Sequence, residues 1–394
     1  MNTPTALPPT NTVDMARAAY SHFIDSCRTG VDHFRLTPRA EPTPYALCFA
    51  IFGKHLLREV DAIDAQRERW DAELRGAIRA FYAKRRTITD LTRDKPFLQL
   101  LTFTLSALAA IGTLERDPLA DIVAPLLPDD VEAELRHQGV QHGVARSGNQ
   151  AMFLGVLLLH AQRHLGRTAA QVSQWVAFHT RTMNRFGFWG EDSSMSHLQF
   201  QNGYHQYELL EYLDVQDVPW GAAADAVASL ADDEGHFAPY PGGGGCYDYD
   251  ATFILTGSDA EAPRHRHLLE RTAATLLREQ NSDGGFCESL RIRPRTIDNL
   301  LRSARHVATG RGRARMERAR QALTLLRPRH DRMHTHWSRY SREWGESDLW
   351  DSWFRMLTLA RIECTFDPDA CRRWGFIDYP GIGFHASLRR PGRG

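Results

Sequence analysis

The chain has 394 residues, 42% hydrophobic and 24% charged, with 19 Phe, 9 Trp and 11 Tyr, which is ample material for a packed core without staples. Its 48 basic residues balance 48 acidic ones, so no global field recruits nucleic acid or an anionic membrane. Met1–Thr12 lacks the basic start and apolar run of a secretory leader, and no apolar run approaches the roughly 18 residues that a membrane helix needs. A cytoplasmic protein without a transmembrane segment is therefore expected, with contact at a membrane surface left open and the oligomeric state unspecified. Six scattered cysteines without a C-x-x-C pair argue against a disulfide framework or zinc ribbon, and most of them read as reduced core residues. The polar or Gly/Pro-rich ends, 1–13 and 389–394, are expected to be frayed, leaving 14–388 as one domain.

Taken in order, amphipathic helical segments with one strongly charged face cover Asp14–Cys27, Asp64–Tyr82, Leu119–His137, Thr168–Met183, Trp220–Leu230, His265–Glu279 and Ala314–Leu326. Between them open more apolar helices near Tyr45 (after Pro44), Phe97 (after Pro96), Asn149, Leu198, Asp248, Asp298 and Asp348. The last four starts are spaced by 50 residues. Three Gly-aromatic turns, Phe186-Gly-Phe188-Trp189-Gly190, Asp233-Glu-Gly235-His-Phe237 and Asp283-Gly-Gly285-Phe286, place Phe188, Phe237 and Phe286 at steps of 49. Two registers sharing one period indicate a repeated helical hairpin. The reading is all-α: an α/α toroid of six to seven hairpins with a repeat of about 50 residues, the apolar helix of each pair inside and the charged one outside.

Chemistry is concentrated after Ala238-Pro-Tyr240-Pro, where four glycines lead into Cys246-Tyr247-Asp248-Tyr249-Asp250-Ala251-Thr252. The glycines allow a mobile or tightly turned loop. The aspartates serve either as helix N-terminal caps or as crowded carboxyls at the mouth of an apolar cavity, one of which stays protonated and acts as an acid on an alkene or epoxide. Aromatic faces then stabilise the carbocation. A second cluster, His197, Gln201, Asn202, Tyr204, His205 and Glu208, puts His197, Gln201, Tyr204 or His205, and Glu208 on one helix face. Near the end, Trp337, Trp350 and Trp353 stand among charges, and Arg291, Arg293 and Arg295 offer either an anion site or an exposed basic turn.

Tyr240-Pro, Asp248-Tyr-Asp250-Ala-Thr252 and Gln280-Asn-Ser-Asp283-Gly-Gly285-Phe286 together resemble the class II terpene cyclases of the squalene–hopene type, whose Pro-Asp-x-Asp-Asp-Thr-Ala segment carries the proton donor. The likeness spans about Phe186 to Glu288. It implies a prenyltransferase-type toroid with Asp250 as general acid and Asp248 as its tuning partner. The family's third Asp is Ala251 here, and Asp298, Asp348 and Asp351 are the residues available to replace it. The implied enzyme is a terpenoid or meroterpenoid cyclase of secondary metabolism. Tyr247, Tyr249, Phe188, Trp189, Asn202, Trp337, Asp298 and Asp348 would shape the site for a hydrophobic small molecule, and His205 or Tyr204 would take the terminal proton. No cofactor is needed, and magnesium enters only with a diphosphate substrate. No metal is expected, since Cys246 and Asp248 with His306 or His336 lack a framing zinc motif. Two alternatives remain: a carbohydrate-active toroid, lyase or epimerase, using Asn202, Tyr204 and His205, and a non-catalytic helical-repeat binding module.

Overall fold

The computed structural model describes residues 10–86, 90–258, 260–292 and 296–385. The chain is all-α. It opens with α1 (Thr10–Ser26), which begins one turn ahead of Asp14, and a short antiparallel ribbon of β1 (Arg28–Thr29) and β2 (His33–Phe34). There follow α2 (Pro44–Leu56), α3 (Val60–Asp64), α4 (Arg67–Arg85), α5 (Lys95–Ala110), α6 (Ala120–Val123), α7 (Val131–His137), α8 (Ser147–Leu165) and α9 (Ala169–Thr182). The second half holds α10 (His197–Tyr212), α11 (Trp220–Ala228), α12 (Gly245–Leu255), α13 (Glu261–Arg264), α14 (Arg266–Arg278), α15 (Ile297–Thr309), α16 (Gly312–Leu325) and α17 (Leu349–Phe366).

Six helices are buried on most of their faces: α2, α5, α8 and α12 are largely apolar, while α10 and α17 also bury polar and charged side chains such as Glu208, Glu211, Arg355 and Arg361. They touch in a closed cycle, α2 on α5, α5 on α8, α8 on α10, α10 on α12, α12 on α17, and α17 back on α2. The remaining long helices pack outside this cycle, α1 and α4 on α2, α4 also on α5, α9 on α8, α11 on α12 and α14 on α17; most carry a charged outer face, but α11, expected to do so, is alanine-rich with Asp225 as its one charge. Proline and side-chain caps fix where inner helices start: Thr43 caps α2, Asp94 caps α5, Ser196 caps α10 and Asp348 caps α17.

The periodic turns have one geometry. Asn184, Asp232 and Asn281 each donate a backbone N–H to the carbonyl four residues on and accept one from the glycine three residues on. Those glycines, Gly187, Gly235 and Gly284, have φ of 75°, 89° and 88°, a left-handed conformation that a side chain resists. The superposable aromatics are Trp189, Phe237 and Phe286, so the first repeat is shifted by one residue from the Phe188 register read in the sequence.

The repeat does not continue at Asp298. Helix α15 pairs with α16 as a hairpin outside the inner cycle, and its starting Asp298 is exposed. The inner helices thus number six, at the lower end of the expected six to seven. Cys27, Cys48, Cys246 and Cys287 are free, as expected for most of the thiols, but Cys364 and Cys371 form a disulfide. The turn after α17 brings their Cα atoms to 4.6 Å, a closeness that seven residues of separation does not reveal.

Candidate active site

Helix α12 carries both aspartates, two residues apart and so on different faces. The glycine loop before it is buried and tightly turned. A side chain at Gly243 would strike the Asp248 carboxylate and the His236 ring, so the loop can lie against that pair only as glycine.

Asp248 is fully buried and fully engaged. Its Oδ1 accepts the Phe237 N–H at 3.0 Å, and its Oδ2 meets His236 Nδ1 at 3.0 Å and Arg355 Nη1 at 2.9 Å. Arg355, from α17, also donates to the carbonyls of Gly242 and Glu288. Burial works against the charged His236 ring, but Asp248 and Glu279 on either side of it push its pKa up to about 10. This network ties α12, α14, α17 and the glycine loop together.

Asp250 has the opposite surroundings. It is 2% exposed, its Oδ1 has no hydrogen-bond partner among the described residues, and its pKa is pushed well above the carboxylate range, first by burial, then by Glu208 and then by Asp248. The main charged neighbour is thus Glu208 on the adjacent inner helix α10 rather than the aspartate two residues away. The Tyr204 hydroxyl lies beside the Glu208 carboxylate, whose Oε1 is 3.5 Å from His205 Nδ1, all in loose rather than close hydrogen-bond geometry. A buried carboxyl with an oxygen left over, set against loosely engaged polar neighbours, is what a site for a reacting group looks like, since scaffold residues are normally satisfied.

A polar row connects this spot to the surface. Half-buried Lys95, at the start of α5, donates to Asn149 Oδ1 at 2.9 Å, and Asn149 Nδ2 lies 2.6 Å from His205 Nε2. This makes His205 Nε2 the acceptor and turns the protonated Nδ1 toward Glu208, 3.5 Å away. Desolvation and Arg146 lower the pKa of Lys95. Cys246 and Tyr247 remain half-exposed beside the row.

Aromatic rings form a continuous wall from Trp337 to Trp350 (4.5 Å between centroids), Phe354 (4.5 Å), Tyr249 (5.6 Å) and Tyr204 (6.3 Å). Trp337 donates to Gln99 Oε1 at 3.1 Å. The other end of the inner helices is closed by the C-terminal segment. There Tyr249 donates to the Gly383 carbonyl, and His385 and Arg361 both pair with Glu211, at 3.1 and 2.9 Å.

The structure therefore brings together Asp250, Tyr204, His205, Tyr249 and Trp337 around the inner helices, with Tyr247 stacked between Tyr240 and Phe200. It separates the rest. Phe188 and Trp189 pack behind α10 against Tyr207, and Trp189 donates to the His179 carbonyl, because the repeated turn aims them between the two helical layers. Asn202 turns outward to the carbonyls of Gly143 and Val144, 3.3 and 3.2 Å away. His197 faces Arg318 and the Phe237 carbonyl, not the Glu208 face. Asp348 caps α17 and pairs with Arg342, as does Asp351. Asp298 lies on the outer hairpin, lining a charged cavity of about 730 Å³ that excludes Asp250. None of these three is among the groups that act on Asp250, which are Glu208 and, after it, Asp248. His306 pairs with Asp232, away from Cys246. Arg291 ion-pairs with Glu234, while Arg293 and Arg295 lie outside the described residues.

Lys95, Asn149, His236, Glu279 and Arg355 carry no local motif and were not legible as site residues. Glu234, His236 and Glu279 come close enough to share a cation, but Arg291 and Arg355 already engage the two glutamates. No helix among the described residues is long and apolar enough to cross a membrane. No family model, characterised protein or solved structure matches the chain.

Proposed function

We propose that the chain is a proton-initiated cyclase of the class II terpene cyclase kind, acting on a prenylated or terpenoid substrate, with Asp250 as general acid. The observation that carries this reading is the setting of Asp250: buried, its pKa pushed well above the carboxylate range by desolvation and by Glu208, and with an oxygen that no group among the described residues uses. Such a group keeps its proton at neutral pH yet is free to deliver it to an alkene or epoxide, a weak base that water cannot protonate. The proton adds to one carbon, the neighbouring carbon becomes cationic, and Asp250 is left as the carboxylate. The π-faces of Tyr249, Phe354 and the tryptophans stabilise positive charge along the folded chain. Loss of a proton from the last cation to His205, once its Nε2 leaves the Asn149 amide, gives the alkene, and proton exchange with solvent returns His205 to neutral and Asp250 to the acid before the next turnover. Six inner helices touching in a cycle suit the toroid of that enzyme class. The chemistry requires no redox cofactor, and magnesium enters only if the substrate bears a diphosphate.

The test is turnover of prenylated substrates, from farnesyl to squalene-like, by the wild type and by Asp250→Asn. Cyclised product from the wild type alone supports the reading, whereas equal turnover by both removes Asp250 from the mechanism. The row Lys95–Asn149–His205–Glu208 favours a second reading, a carbohydrate lyase or epimerase with His205 or Tyr204 as base. That enzyme keeps its activity in Asp250→Asn and loses it in His205→Gln.

A further inference from the structure

The hairpin of α15 and α16 has no place in the ring, and its composition departs from the rest of the chain. From Arg291 to His330 there are twelve arginines against two acids, Asp298 and Glu317, in a protein whose charges balance only overall, the rest of the chain carrying 36 basic against 46 acidic residues. Among the described residues, twelve large hydrophobics are exposed. Six of them, Ile297, Leu300, Leu301, Met316, Leu323 and Leu326, fall in this one stretch, and Leu290 immediately precedes it. Scattered apolar residues on a surface mean little, but a concentration of them marks an interaction face.

The two features share one geometry. At 3.6 residues per turn, Leu300, Ala304, Ile297, Ala308 and Leu301 lie within about 100° on α15. All of them are exposed, while Ser303 and His306 turn inward. On α16 and just beyond it, Leu326, Leu323 and Met316 form an exposed stripe bordered by Arg315 on one side and by Arg320 and Arg327 on the other. Ala314, Arg318 and Leu325 face the protein. Several arginines of the segment are occupied: Arg291, Arg302 and Arg305 pair with Asp233, Glu234 and Glu279, Arg313 pairs with Glu191, and Arg318 donates to the Leu230 carbonyl. These contacts fix the hairpin on the body. Arg311, Arg315, Arg320 and Arg327 are exposed and have no ion pair among the described residues.

We propose that the α15–α16 hairpin is a membrane-docking surface that lies in the plane of a bilayer carrying anionic lipid. Its leucines, isoleucine and methionine insert at the level of the acyl boundary, and its free arginines meet the lipid phosphates. Charge complementarity selects an anionic partner. The aliphatic stripe selects lipid over nucleic acid, because methyl groups gain nothing against a sugar–phosphate backbone and no aromatic ring is offered for stacking. The docking stands independently of the reaction at Asp250.

The full chain is floated with phosphatidylcholine vesicles, with and without phosphatidylglycerol, at low and high salt. Binding to the anionic vesicles only, weakened by salt, is expected. Arg315→Gln, Arg320→Gln and Arg327→Gln each lower the partition coefficient, by roughly fivefold per arginine. Leu323→Gln and Leu326→Gln lower it at unchanged charge. All five side chains are exposed, so unfolding midpoints stay at the wild-type value. Hydrogen exchange of the unaltered protein on vesicles gives a second reading, with slowed amides confined to 297–327. Three results overturn the proposal: no binding to anionic vesicles; tighter binding to duplex DNA that the leucine variants leave intact; or a light-scattering dimer that Leu323→Gln dissociates, which would assign the face to a second copy of the chain.

Discussion

Asp248 and Asp250 are two residues apart on one helix and both are buried, yet they have opposite surroundings. Every oxygen of Asp248 meets a donor, and Arg355, His236 and Glu279 complete a network joining three helices and a loop. Asp250 meets a second carboxylate and a phenol, and has an oxygen with no partner. A satisfied buried carboxylate holds a fold together. An unsatisfied one weakens it and is retained where chemistry needs it. The contrast assigns Asp248 to positioning α12 and Asp250 to acting from it.

Breaking the satisfied side has the largest expected effect. Arg355→Leu leaves the buried Asp248 and Glu279 to share the His236 cation without the guanidinium and costs roughly 3 kcal/mol in denaturant unfolding. A loss below about 1 kcal/mol would mean that the network is not structural. On the other side, Asp250→Asn lowers turnover by roughly 10²–10⁴-fold, the usual worth of a general acid. It also raises stability at neutral pH by roughly 0.5–2 kcal/mol. The sign follows from the raised pKa: folding holds the Asp250 proton, so the wild type loses stability as pH rises above its ordinary value of 3.8, and Asn carries no such penalty.

Two smaller effects sharpen the comparison. Glu208→Gln removes an anion that raises the Asp250 pKa, so the alkaline limb of the rate profile moves to lower pH. A limb that stays in place would show that Glu208 does not tune the acid. For His236→Gln, the stability difference from wild type is fully present below 6.5, the ordinary histidine value, and shrinks as pH rises through about 10. Unfolding at mildly acidic and strongly alkaline pH reads this directly.

Much of the architecture was legible because it is written in local patterns. Pro44, Pro96 and the caps mark helix starts, and the glycine turns repeat because a positive φ recurs there. The period misled at Asp298, where an amphipathic helix starts at the expected position but turns outward. It misled again at Phe188 and Trp189, which the turn buries between layers. The site was legible only in part. Asp250, Tyr204 and His205 stood in dense motifs, whereas Asn202, three residues before His205, faces the other way. The partners that decide the chemistry come from other helices: Glu208 on the neighbouring α10, Arg355 from 107 residues downstream of Asp248, and Lys95 and Asn149 at the starts of α5 and α8. Glu208 stood in the cluster with Tyr204 and His205, and Asn149 at an expected helix start, but nothing in the local sequence ties them to Asp250 or marks Lys95 and Arg355, because the closed cycle of helices, not a motif, brings them together.

The central claim is that Asp250 holds its proton at neutral pH. Infrared difference spectra of the wild type against Asp250→Asn, recorded from mildly acidic to neutral pH, isolate this one carboxyl. The account predicts a carboxylic-acid carbonyl band that persists at neutral pH and is absent from the variant. A carboxylate signal that already replaces it in mild acid, as for an ordinary aspartate, would contradict the account.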